Sequence, residues 1–148
     1  MKVIFSYIDE DDLVACSELY AKTFREPPWN EEWSTENAFE RLSDFLSCPK
    51  SIAIKAIYDD EIRGFIFGEI EPYNGDKYYN LKEICVSATL QRKGVGKGLM
   101  KKLGKILEED GVSKIYLITQ RNSIPSSFYA SLGFSEVKKM MLMGKLVK

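Results

Sequence analysis

The segment Gln91-Arg92-Lys93-Gly94-Val95-Gly96 is the part of this chain whose residue types most readily bind a ligand. It lies between an apolar run, 78–86, and an amphipathic run that continues to about Asp110. Glycine lets a backbone approach a ligand closely and adopt unusual dihedrals. A helix starting at this point presents unpaired N–H groups and about half a positive charge. Together these features make an anion site for which a diphosphate is the natural guest. Arg92, Lys93 and Lys97 are candidate cationic neighbours. The glycines alone leave open a loop that merely starts a helix. No GxxxxGK[ST] segment is present, and no GxGxxG follows the first strand, which argues against a P-loop kinase and a Rossmann dinucleotide site.

The chain has no histidine. That excludes the Ser/His/Asp triad, the Cys-His dyad, HExxH zinc sites and histidine bases. Acid–base work then falls to Glu, Asp, Tyr, Lys, Cys or water. Cys16, Cys48 and Cys85 lie far apart with no CxxC, so no metal site is expected. An odd cysteine count without an export signal reads as a reducing, cytoplasmic setting. The first nine residues turn acidic too early for a signal-peptide core.

These groups need a scaffold, and 148 residues suit one domain, expected over 1–148. A chain of this size buries roughly 68–70% of its unfolded surface, enough for a core without staples. With 21 Lys+Arg against 22 Asp+Glu, the net charge is −1, and no nucleic-acid partner is expected. No apolar run approaches the ~18 residues of a membrane span, so no membrane association is expected.

Residues 2–8 read as a first strand. Asp9-Glu10-Asp11-Asp12 can cap a helix whose apolar positions run from Leu13 to Phe24, before Pro27-Pro28 forbids its continuation. Ser34 or Thr35 opens a second helix that ends at Cys48-Pro49. Residues 51–58 and 62–71 predict a hairpin, 72–76 a loop, and 78–86 a strand. A helix to about Asp110, a buried strand over 114–119, a helix with Pro125 in its first turn and a last strand over 135–146 complete the order. The result is a mixed α/β domain with a predominantly antiparallel front half.

Gln91-x-x-Gly94-x-Gly96 resembles the acyl-CoA pyrophosphate loop of the GNAT N-acetyltransferase superfamily. Asn122 and the segment 127–134, with Phe128-Tyr129 and Gly133-Phe134, are similar to that family's F-Y-x-x-x-G-F region, and 81–87 is similar to its fourth strand. The resemblance runs over about residues 3–146. Ala88 stands where the family usually has a proline.

The resemblance implies a central mixed, mostly antiparallel sheet flanked by about four helices. It implies a bulged fourth strand that splays from the fifth, and acetyl-CoA as cofactor. The backbone of Ile84, Cys85 and Val86 would bind the pantetheine arm, one N–H polarising the thioester carbonyl. Gln91, Arg92, Lys93, Gly94, Val95 and Gly96 would hold the diphosphate, with Lys97 alongside. Asn122 and Phe128 complete the cofactor-binding set. Glu83 is the implied base and Tyr129 the implied acid at the departing sulfur. The Cys85 side chain reads as a small core hydrophobe rather than a nucleophile. Trp29, Trp33 and Tyr79 are the implied acceptor wall, with Tyr73 and Tyr78 nearby. Glu26, Glu31 and Glu32 interleave with the tryptophans, a composition suited to a cationic amine.

The implied activity is direct transfer of acetyl from acetyl-CoA to an amine. A small polyamine or aminoglycoside is the preferred acceptor. A protein N-terminus or lysine is the alternative acceptor. A non-catalytic acyl-CoA-binding module is the alternative class, and it would need neither Glu83 nor Tyr129. The sequence leaves oligomeric state open, a homodimer included.

Overall fold

Two tight turns organise the central sheet. Asp59-Asp60 and Asn74-Gly75 all have positive φ (56° and 60°, 49° and 83°), the conformation of two-residue hairpin turns that match strand twist. The first joins β2 (Ser51–Tyr58) to β3 (Glu61–Tyr73), and the second joins β3 to β4 (Asp76–Val86). The second hairpin closes tightly, with Tyr73 opposite Asp76. The expected loop over 72–76 is therefore a strand pair plus the Asn-Gly turn.

The computed structural model describes residues 1–148. The chain forms two compact units, Met1–Leu117 and Ile118–Lys148. The first holds a five-stranded sheet in the order β1-β2-β3-β4-β5, with β1 at Ile4–Tyr7 and β5 at Lys114–Tyr116. Neighbouring strands are antiparallel except β4 and β5, which run parallel.

Three helices belong to this unit. Asp9 and Asp12 form a reciprocal capping box, followed by α1 (Leu13–Arg25). Ser34 caps α2 (Thr35–Leu46) by accepting from the Asn37 amide. Both helices cover one sheet face. Cys16, Tyr20, Phe24, Ala38 and Leu42 close a core there with Ala53, Phe65, Phe67 and Cys85. The third helix, α3 (Val95–Glu109), packs on β2, β3 and β4 and buries Val95, Leu99, Leu103 and Leu107. A Cβ added at Gly64 would meet Leu99 and Val95, so the even-numbered positions of β3 face α3.

The expected bulge lies in β4. Phe67 opposes Glu83 while the next residue, Gly68, opposes Leu81, so Lys82 has no partner in β3. Directly opposed residues share a face. Leu81 therefore points with Gly68 toward the α3 side, whereas Glu83 and Cys85 point with Phe67 and Phe65 toward α1 and α2. One extra residue turns Glu83 to the face it occupies.

The second unit contains α4 (Ile124–Ser131), capped by a reciprocal box between Ser123 and Ser126 with Pro125 in its first turn. The sequence expectation fails at two places beyond β4. The strand expected over 114–119 ends at Tyr116. Residues 135–146 form no strand, and a turn in which the Met140 amide donates to the Val137 carbonyl interrupts them. Their apolar residues also fall in a run, 140–143, rather than alternating, which removes the two-residue period a half-buried strand needs.

Candidate active site

β5 pairs with β4 only through Tyr78, Tyr79 and Asn80. From Leu81 to Val86 no strand of the sheet pairs with that second edge of β4. Ile84, Cys85 and Val86 thus lie on a strand bonded to β3 on one side and open to an extended ligand on the other. Such an edge offers alternating N–H and C=O groups to a chain with amide groups of its own.

The 91–96 loop follows β4 after a short 3-10 turn, Ala88–Leu90. The Gln91 side chain donates to the Val86 carbonyl at 3.1 Å, so this residue ties the loop to the end of β4. Gly94 is the N-cap of α3 and has φ +85°. No side chain caps this helix, and a Cβ built at Gly94 meets nothing within 4 Å. Open space thus stands above an uncapped helix start. Arg92, Lys93 and Lys97 are exposed beside it, while Val95 is buried and anchors the first turn. These features fit a diphosphate: donors, dipole and cations are present, and no side chain fills the approach.

Glu83 is mostly covered, its side chain 15% exposed. Arg41, from α2, donates to its Oε1 at 3.1 Å. Tyr20, from α1, hydrogen-bonds the same carboxyl. Burial pushes the Glu83 carboxyl above its ordinary value, against the lowering effect of Arg41 and Tyr20. Burial and the adjacent carboxylate also push the Tyr20 hydroxyl up, so it stays a donor. A buried carboxyl with a raised proton affinity suits a base that must take a proton near neutral pH.

Arg41 and Tyr20 were not candidates from sequence. Tyr20 reads there as one more residue of the α1 apolar stripe. The available signal for Arg41 was its spacing of four from Phe45, which stacks a cation on an aromatic ring along one helix face. The guanidinium carbon lies 4.8 Å from the Phe45 ring centroid and 5.9 Å from that of Trp33. A hollow of about 370 Å³ opens here, lined by Trp33, Asn37, Glu40, Arg41, Asp44 and Phe45.

The three residues expected to form an acceptor wall lie in different surroundings. Trp33 borders this hollow, packs edge-on against Tyr20 at 5.0 Å and donates through Nε1 to Glu31. Trp29 is half-buried, edge-on to Phe24 at 4.9 Å, and packs against the core under α1 and α2. Tyr79 is a correction. It is fully buried, and its hydroxyl donates to the Ile52 carbonyl at 2.7 Å. The bulge leaves it on the α3 side of the sheet, where it reaches over Gly68 of β3 to bond β2 rather than facing an acceptor.

Cys85 is 3% exposed and its thiol is pushed up to about 12, chiefly by burial. That keeps it protonated, as a core residue rather than a thiolate nucleophile. No group of three His, Cys, Asp or Glu side chains is placed to hold a metal ion, and no helix is long and apolar enough to cross a membrane.

In the second unit, Tyr129 is 8% exposed. Its ring lies edge-on between Phe128 at 5.4 Å and Phe134 at 5.6 Å. Asn122 is exposed with φ 53°, immediately before the capping Ser123.

Residues 13–134 match the model of the acetyltransferase (GNAT) family. Among solved structures, a possible acetyltransferase from Clostridium difficile 630 superposes with a TM-score of 0.83 at 15% identity, covering 100% of both chains. The ribosomal-protein-alanine N-acetyltransferase of Brucella melitensis biovar Abortus 2308 gives 0.76 at 18% identity, covering 98% of this chain and 100% of its own. An aminoglycoside N-acetyltransferase in complex with CoA gives 0.76 at 18% identity, covering 97% of this chain and 95% of its own.

Proposed function

This chain belongs to the GNAT acetyltransferase family, enzymes that use acetyl-CoA, and we propose that it acetylates a small polycationic amine by direct transfer. The observation that carries the acceptor class is the hollow lined by Arg41, the partner of Glu83, where Trp33 and Phe45 are accompanied by the carboxylates of Glu40 and Asp44, two acids against one cation. Aromatic faces and carboxylates attract ammonium groups more than neutral ones. A polyamine or an aminoglycoside has that chemistry. One structural neighbour is an aminoglycoside N-acetyltransferase and another a ribosomal-protein-alanine N-acetyltransferase, so a protein N-terminus is the competing acceptor.

In this reading the whole chain, 1–148, works as one domain. The family match supports that, because it runs across both compact units. The main chain of 91–96 holds the diphosphate, with Lys97 beside it. The open edge at Ile84, Cys85 and Val86 takes the pantetheine arm, and Asn122 and Phe128 complete the cofactor-binding set. Acetyl-CoA supplies an activated acetyl thioester. A β4 N–H, fixed before reaction, stabilises negative charge developing on the carbonyl oxygen. Glu83 accepts the proton of the acceptor ammonium, directly or through water. A primary ammonium with pKa near 10.4 otherwise keeps that proton at pH 7, at a cost of about 4–5 kcal/mol. Tyr129 Oη holds the proton for the departing sulfur. The chain has no histidine, and a phenol stands at the position where the family motif places its acid.

The test is an acceptor panel of polyamines, aminoglycosides and lysine or N-terminal peptides, read by the free thiol of released CoA. Transfer to the small polycations, with kcat/KM well above that for peptides, is expected. Preference for peptides would overturn the acceptor assignment. Glu83→Gln is expected to lower kcat/KM by about 10²–10⁴-fold. It should also remove the acidic limb of the pH profile, because the base is active only when deprotonated. An unchanged rate and profile would move the base to another group.

A further inference from the structure

The Glu83 carboxylate sits in a socket built by two helices that no loop motif marks. Arg41 bonds it at 3.1 Å from α2, and Tyr20 bonds it from α1. Each partner is itself held in place. The Arg41 guanidinium lies over Phe45 at 4.8 Å and near Trp33 at 5.9 Å. The Tyr20 ring is 4.6 Å from Phe24 and 5.0 Å from Trp33. Trp33 thus touches both partners of Glu83 and fixes them relative to each other.

We propose that Arg41 is a positioning residue, whose guanidinium keeps the Glu83 carboxylate charged and aimed while the acceptor gives up its proton. The inference rests on the reading of Glu83 as base. A carboxylate covered to this extent protonates unless a cation is close. Arg41 is that cation. Its planar fork can bond the carboxylate and lie flat on a ring at the same time, which an ammonium cannot reproduce. The side chain of Arg41 is 40% exposed, so it can hold Glu83 while remaining partly hydrated.

The other groups around Glu83 do not replace it. Tyr20 contributes a neutral hydroxyl, and Glu31, in the segment before α2, opposes the charge on Glu83. Cys85, two residues along β4, holds a protonated thiol. Lys82, in the bulge, has its Nζ 6.0 Å from the Phe45 ring. Loss of Arg41 therefore leaves burial acting on Glu83 with little opposition, and its pKa should rise. Because the base is the deprotonated form, the acidic limb of activity should rise with it.

The experiment measures the Glu83 carboxyl directly, by carbon-13 NMR titration of the free protein, with Glu83→Gln identifying the signal. It compares the wild type with Arg41→Met, Arg41→Lys and Tyr20→Phe. Acetyl-transfer pH profiles are recorded with spermidine and with kanamycin. Arg41→Met should move the Glu83 midpoint up by about one pH unit or more. Arg41→Lys should fall between it and the wild type. The acidic limb of kcat/KM should follow the midpoint, with the KM for acetyl-CoA unchanged. If Arg41→Met does not fold, Arg41→Lys still decides the matter through a smaller upward shift. An unmoved midpoint would overturn the role of Arg41, whatever the base. A midpoint that moves while the limb stays fixed would overturn Glu83 as the base, and the positioning role with it. If neither probe accepts acetyl, the titration alone decides whether Arg41 holds the carboxylate charged.

Discussion

At the residue scale, the candidate site separates into groups that touch ligand through backbone and groups that act through side chains, and substitutions distinguish the two. Gly94 belongs to the first kind. At φ +85° any L side chain is strained, and the space above its Cα is open. Gly94→Val would project a branched side chain where the diphosphate is proposed to lie. CoA affinity by calorimetry should fall tenfold or more, about 1.4 kcal/mol, with circular dichroism confirming the fold. Unchanged affinity would discard the loop as the cofactor site. Tyr129 belongs to the second kind. Its edge-on contacts with Phe128 and Phe134 are made by the ring, and circular dichroism of Tyr129→Phe checks that the fold is kept. If Oη donates to the departing sulfur, the change should slow kcat by about 10²–10⁴-fold and leave acetyl-CoA affinity within a few-fold. Full kcat, with chemistry shown to limit the rate, would leave Tyr129 as packing. The spacing of the loop glycines is local and marks the start of α3, and Glu83 was singled out in the sequence by its place in the segment similar to the family's fourth strand. Arg41 and Tyr20 were not, because their contact with Glu83 spans 42 residues in one case and a strand bulge in both.

At the element scale, the bulge in β4 decides which face each residue serves, and its surroundings are sterically tight. A Cβ at Gly68, the residue beside the bulge, would overlap the Tyr79 ring and lie 2.5 Å from the Asn80 carbonyl oxygen. The second of these is backbone and cannot swing aside. A Cβ at Gly98 would meet the far end of the Phe5 side chain at 2.6 Å, which can move. Gly68→Ala should therefore cost about 1–3 kcal/mol by denaturant unfolding, and Gly98→Ala less. The reverse order would show that β4 is not fixed at this point. Most elements were legible, because each is specified locally. Ser34 caps α2, Pro27 stops α1, and β2 falls on the residues that its run of Ile and Ala marks. Asn74-Gly75 was also a local signal, for a tight hairpin rather than a loop. What sequence could not show was where pairing stops. Whether β5 extends past Tyr116, or residues 135–146 join a ladder, depends on a partner strand rather than on their own composition. The same dependence misplaced Tyr79, since a one-residue register skip reverses every side chain beyond it.

At the scale of the whole molecule, the question is whether 148 residues in two compact units behave as one domain. Cooperativity answers it. The first unit contains the whole sheet and the α1 and α2 core, whereas the second contributes a single eight-residue helix and residues 135–148, most of them exposed. A segment with so little apolar burial of its own has few means of holding its structure alone. If it belongs to the same domain, it should lose structure with the sheet, in one transition seen equally by calorimetry and circular dichroism. A ligand that binds only the folded form raises stability by about 2.7 kcal/mol at a hundredfold excess over its Kd. For a chain near this length, 1 kcal/mol moves Tm by ~2–4 °C, so saturating CoA should raise the single transition by roughly 5–10 °C. Two transitions, of which CoA moves only one, would divide the chain into independent folding units. One transition that CoA leaves in place would separate the fold from cofactor binding and remove the basis for placing the diphosphate on α3. The outcome expected from a family match spanning 13–134 is one transition, raised by CoA and raised less in Gly94→Val.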